Sequence, residues 1–284
     1  MPAKALERLK VLHAGLKPFP GEYESQSTDL KPTEWSGENA EKKYPKVFGL
    51  SGFVTSIASN EKISRADVFS AFDLVSQESS EVTRIRALGE AFVAAMAWGF
   101  RPNSYGPFRT NEMLNSSKQG LEGDEALTIL LEIFDELKSG SAKPIDAYKK
   151  LSQKITGLGP AFGTKFLYFA SCEDDRAPIL DAVVANWLWK YGVRDSKGKR
   201  LSAVPWKSTN YQRYLDFCNE ACRELQVTDR GLIEYLMFID AQYSDYIELG
   251  KRQPGWVTKV NRPGWPIEHR NKPLLGCDLS PTYG

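Results

Sequence analysis

Apolar positions recur along most of the chain with the period of a helix. Leu6, Leu9 and Leu12 mark a short helix over 3–15, stopped by Gly15. Beyond Ser64, a stripe of Val68, Phe69, Phe72 and Val75 predicts a helix over 64–77. Val82, Ile85, Leu88, Phe92 and Met96 predict another over 79–98. Asp124 is placed to cap a helix running through ALTILLEIFDELK to Gly140. Pro144 falls in the first turn of IDAYKKLSQKI, where proline is tolerated. Further helices are expected over 160–171, from near Pro178 to Gly192, over 208–226, and over 229–249 with Thr228 as cap.

Between 17 and 60 the helical period fades. Pro, Gly, Ser, Asn and Thr are dense there, with Trp35, Tyr44 and Phe48 among them, which reads as an irregular arm wrapped on the body. WGFRPNSYGPFRT at 98–110 reads as an interhelical loop, and the Pro-, Gly- and Trp-rich tail as an extended strap. The expected fold is mainly α, a helical bundle with irregular N- and C-terminal segments. It divides into a helix and arm (1–60), a helical core (61–250) and a C-terminal strap (251–284).

Composition narrows the function classes. A 284-residue chain that is 42% hydrophobic and 26% charged is an ordinary globular protein, which excludes global disorder, a collagen-like fibre and a disulfide-dense mini-protein. With 37 Lys+Arg against 36 Asp+Glu there is no chain-wide basic field, so a polyanion site must come from local clustering. Lys149, Lys150, Lys154 and Lys165 span 149–165 with no acid. Lys190, Arg194, Lys197, Lys199, Arg200, Lys207 and Arg213 span 190–213 against Asp195, and a third basic run covers 251–272.

No apolar run is long enough for a membrane span. The start MPAKALERLK lacks an apolar segment after its charges, so no secretory signal is expected and the reducing cytoplasm fits best. Cys172, Cys218, Cys222 and Cys277 lack CxxC spacing, and His13 and His269 are isolated, so neither metal nor cofactor is expected.

The most informative segment is ITGLGPAFGTKFLYFASCEDDRAPILDAVVANWL, residues 155–188. It reads helix, glycine turn, helix, break, then a helix headed by an Asp. Gly157 and Gly159 permit positive φ and leave backbone N–H groups uncovered beside the helix start at Pro160, an arrangement that binds phosphate. Such a grip positions nucleic acid without reading its sequence.

This segment resembles the helix-hairpin-helix DNA glycosylase superfamily, in particular its 8-oxoguanine DNA glycosylase-like branch, including bacterial anti-phage members. The family's hairpin, hydrophobic–x–Gly–hydrophobic–Gly, precedes a catalytic Asp. Here Ile155–Thr156–Gly157–Leu158–Gly159 supplies the hairpin, within a unit at 147–171, and Asp181 follows Gly159 by 22 residues after APIL. Agreement is strong over 155–188 and extends as all-helical text over about 65–240.

The resemblance implies that Asp181 stabilises the oxocarbenium-like sugar formed as an N-glycosidic bond breaks; a helix-capping Asp is the plainer alternative. Bifunctional relatives carry a Schiff-base lysine two residues after the second hairpin glycine, where this chain has Ala161. Lys165 follows one helical turn later, as an imine-forming amine or as a phosphate-contacting or solvated lysine. DNA contacts are expected from Gly157, Gly159, Thr164, Lys154 and Arg109. Trp98, Tyr105 and Phe108 are candidates to stack on an extruded base, or else complete the core.

The expected activity is removal of a modified base from double-stranded DNA by a monomer, leaving an abasic site. Glucosylated hydroxymethylcytosine of phage DNA is the first expected substrate and 8-oxoguanine the second. A non-catalytic hairpin module that only grips DNA, and a protein–protein scaffold, are the rivals from other classes.

Overall fold

Ser64 shows how the sequence starts its helical body. Its hydroxyl accepts from the Asp67 backbone N–H, and the Asp67 carboxylate accepts from the Ser64 N–H at 2.7 Å, a reciprocal cap. A computed structural model describes residues 1–16, 23–57, 61–100, 105–115, 125–155, 157–201 and 207–249. There the cap opens α6 (Arg65–Gln77), which follows α1 (Ala3–Leu16), strand β1 (Ser27–Asp29), α2 (Pro32–Ser36), α3 (Glu38–Lys43), α4 (Pro45–Gly49), α5 (Gly52–Ser56) and strand β2 (Lys62–Ser64). The described residues are mainly helical, with one two-stranded sheet. In it Ser27 pairs antiparallel with Ser64, Thr28 with Ile63 and Asp29 with Lys62.

The body continues through α7 (Glu81–Gly99), α8 (Tyr105–Asn115), α9 (Glu125–Lys138), α10 (Pro144–Lys154), α11 (Pro160–Ala170), α12 (Ala182–Lys190), α13 (Ser208–Leu225) and α14 (Arg230–Leu249). The apolar stripes of α6 and α7 pack on each other and on α11. Phe72, Phe92, Phe134, Phe166 and Phe169 meet there, with Phe72 and Phe166 centroids 5.9 Å apart. A second layer forms where α12 lies on α14 and α13 meets α10, α14 and α1. Asp240 on α14 joins it to two elements, accepting from Trp187 Nε1 at 2.7 Å and pairing with Arg8 of α1.

Several expectations need correction. Residues 32–56 are not an irregular arm but hold α2 to α5, with Pro32 and Pro45 in first turns. Each is too short to print an apolar stripe. The second half of the expected loop at 98–110 is α8, so Phe108 and Arg109 are helical; residues 101–104 lie outside the described set. The helix expected near Pro178 starts instead at Ala182. The Pro178 and Ile179 carbonyls are held by the Tyr211 and Tyr214 hydroxyls, at 3.1 and 3.0 Å. Asp229 rather than Thr228 meets the start of α14, accepting from the Gly231 N–H at 2.7 Å. Asp124 and the C-terminal strap lie outside the described residues.

Candidate active site

The turn between α10 and α11 is pinned by its apolar residues: Ile155 and Leu158 are buried. Gly157 has φ 77°, a left-handed conformation that favours glycine. Gly159 does not share it. It is the N-cap of α11 at φ −74°, and a side chain there would enter open space. No side chain caps α11, which leaves its start disposed toward an anion. Thr156 lies outside the described residues. Arg109 reaches over from α8 and its guanidinium donates to the Gly157 carbonyl at 2.9 Å, so it braces the turn from within the protein.

The basic run around the turn is less free than its sequence implies. Lys149 pairs with Asp146 at 3.4 Å, and Lys150 lies 3.2 Å from Glu132 and 2.8 Å from Glu136. Lys154, half-buried, ends α10 beside the turn.

Extended backbone over 176–180 delivers Asp181 to the head of α12. Asp181 Oδ1 accepts from the Val183 and Val184 N–H groups at 2.9 and 3.0 Å. Its other oxygen, Oδ2, lies 3.5 Å from Lys165 Nζ. The Lys165 side chain is 8% exposed and that of Asp181 17%, so the acid is the more open member of the pair. Thr164, expected to touch DNA, is wholly buried. Its hydroxyl accepts from the Leu180 N–H at 3.1 Å and donates to the Ala161 carbonyl at 3.3 Å. It fixes the backbone immediately before Asp181.

Sequence reasoning missed two residues behind this pair. Arg65 and Glu234 are buried and paired at 2.8 Å. Arg65 also donates to Gln26 at 2.6 Å and to the Tyr168 hydroxyl at 2.7 Å, and lies over the rings of Tyr23, Trp98, Tyr168 and Tyr235. Tyr168 stands one turn beyond Lys165 on α11. Burial pushes the Glu234 carboxyl up to about 6, with Arg65 opposing; Asp181 adds to the rise and Lys165 resists it, so the two pairs share one field. The available signal was an acid amid the apolar text LIEYLMF of α14.

The aromatic candidates divide. Trp98 belongs to the core: its Nε1 donates to the Gln26 carbonyl at 3.3 Å, and its ring meets Phe169 edge-on at 5.4 Å. Tyr105 and Phe108 are 57% and 42% exposed, with ring centroids 6.3 Å apart. Tyr105 meets Phe100 at 5.9 Å, and Phe100 stacks on Phe162 at 4.0 Å. Lys165 Nζ lies 5.5 Å from the Phe162 centroid. A continuous aromatic run thus joins the exposed face of α8 to the Lys165–Asp181 pair. On α12, Trp187 is core, whereas Trp189 is exposed beneath Arg194, 3.5 Å from its ring.

No helix among the described residues is long and apolar enough to cross a membrane. No curated protein and no solved structure matches the chain. Residues 21–238, which contain the turn, Lys165, Asp181 and Glu234, match the family model described as "Putative 8-oxoguanine DNA glycosylase OGG-like protein", and the chain belongs to this OGG-like DNA glycosylase family.

Proposed function

We propose that this protein flips a modified base out of duplex DNA and hydrolyses its N-glycosidic bond, leaving an abasic site. The observation that carries the reading is the Lys165–Asp181 pair, 3.5 Å apart between the helix after the glycine turn and the head of α12. As the bond from C1′ to the base breaks, its electron pair leaves with the base and positive charge grows on the sugar. Asp181 Oδ2 stabilises that charge, and the Lys165 ammonium offsets the negative charge on the departing base. Water then adds at C1′ and gives its proton to Asp181.

In this reading the start of α11, Gly157, Gly159 and Lys154 meet the DNA backbone. Arg109 acts through the turn it braces, and Tyr105 and Phe108 stack against the extruded base. Lys165 is engaged with Asp181 at 3.5 Å, and that engagement supports base removal without strand cleavage.

The substrate we propose is glucosylated hydroxymethylcytosine of phage DNA, excised in antiviral defence. Ala161, standing where the resemblance implies a lysine in lyase-type relatives, favours simple base removal. The second reading is repair of 8-oxoguanine, which the description of the matching family favours.

The test is incubation with oligonucleotides carrying each modified base, followed by detection of abasic sites. Asp181→Asn keeps a good helix cap, so it should bind DNA and lose turnover by 100-fold or more (on the order of one removed charge-stabilising group). Turnover retained by that variant would put the chemistry on other residues, and DNA binding without base release by the parent protein would leave the non-catalytic module. Borohydride trapping of an enzyme–DNA adduct would replace hydrolysis with an imine route. Glucosylated against unglucosylated phage DNA separates defence from repair.

A further inference from the structure

Gly99 ends α7, yet its backbone does not call for glycine. Its φ lies outside the left-handed range, and alanine is ordinarily the better helix residue. Space explains it instead. A Cβ built on Gly99 would lie 2.7 Å from Lys165 Cδ, 3.1 Å from Cε and 3.6 Å from Phe162 Cε1. Non-bonded carbons sit about 3.5–4.0 Å apart, so the Lys165 stem already occupies the place of a side chain at 99. The Phe162 ring borders the same place, with its centroid 5.5 Å from Lys165 Nζ, and is itself clamped at 4.0 Å and 17° on Phe100. Lys165 therefore runs against the bare Gly99 backbone and beside a fixed ring, and its Nζ ends 3.5 Å from Asp181.

We propose that Gly99 is a positioning residue for base excision, its missing side chain opening the slot through which Lys165 reaches Asp181. The inference rests on the Lys165–Asp181 reading above. A methyl at 99 must push the stem aside by about 1 Å, and a shift of that size at a reacting group costs up to about 100-fold in rate. Because Gly99 touches neither substrate nor Asp181, the loss falls on kcat while KM holds.

The experiment is Gly99→Ala, read four ways: thermal midpoint, affinity for abasic-site DNA, single-turnover excision, and acylation of Lys165 by acetic anhydride followed by mass spectrometry. The midpoint is expected to hold or rise and affinity to stay within twofold. Excision is expected to fall by about 10- to 100-fold. Lys165, shielded in the parent protein, should acylate several-fold faster. Adding Phe162→Leu, which frees space beside the stem, should return part of the lost rate. Parent-level excision together with an equally shielded Lys165 would overturn the proposal. If Asp181→Asn keeps full excision while Gly99→Ala still exposes Lys165, the slot stands and the site reading fails.

Discussion

Thr164→Val separates two roles that the sequence does not distinguish. The substitution conserves shape and removes one hydroxyl, which sits in the interior and accepts from the Leu180 N–H at 3.1 Å. The Ala161 carbonyl that also receives this hydroxyl lies inside α11, so the serious loss is the Leu180 N–H, left buried without its acceptor. Such a loss costs about 2 kcal/mol. For a chain of this size the thermal midpoint should fall by about 3 °C. Leu180 directly precedes Asp181, so the freed backbone also loosens the carboxylate, and excision should drop while DNA affinity and its salt dependence stay unchanged. Urea titration, fluorescence-anisotropy binding at several salt concentrations and single-turnover excision measure the three quantities. Parent-level stability with weakened, salt-sensitive binding would refute this account and return Thr164 to the DNA surface.

Other substitutions probe the same frame. Gly157→Ala forces a side chain into a left-handed backbone and should cost about 1–2 kcal/mol, whereas Gly159→Ala should be nearly neutral in stability; paired denaturation curves decide it. Glu234, raised to about 6 from 4.5 mainly by burial and against the pull of Arg65, binds a proton more readily in the native state than in the unfolded chain. Its contribution is therefore full below about pH 4.5 and fades by about 2 kcal/mol as pH rises through 6. Denaturation across that window should show the slope in the parent protein and lose it in Glu234→Gln. Replacing exposed Tyr105 and Phe108 together by Ala should leave stability within about 1 kcal/mol yet weaken binding to base-modified DNA by about tenfold or more; unchanged affinity in a competition assay would remove the aromatic pair from the interface.

Much of the helical body was legible because α6, α7, α9, α10 and α13 are long enough for a stripe to repeat. The glycine turn and the capping Asp181 were legible too, each being a local event. What escaped depends on partners far along the chain. Short helices α2 to α5 leave no period to read. The delayed start of α12 reflects tyrosines from α13 claiming the carbonyls that a helix would have used. Trp98 sits where the expected helix and loop meet, so its sequence leaves base stacking and core packing both open; it lies in the last turns of α7 and inside the core. Thr164 gave no sign of burial, since its reason for being inside is a backbone N–H sixteen residues later. The Arg65–Glu234 pair spans 169 positions, beyond any pattern that a single sequence can show.

Asp181 spends one oxygen on architecture. Moored by two backbone donors of α12, that oxygen cannot trade places with its twin, so the carboxylate has lost the half-rotation that would make its two edges equivalent. The oxygen left over, 3.5 Å from Lys165 Nζ, points in a single direction. If Asp181 acts as proposed, it offers the sugar a fixed compass bearing, and a nucleotide presented from the moored edge would meet helix first.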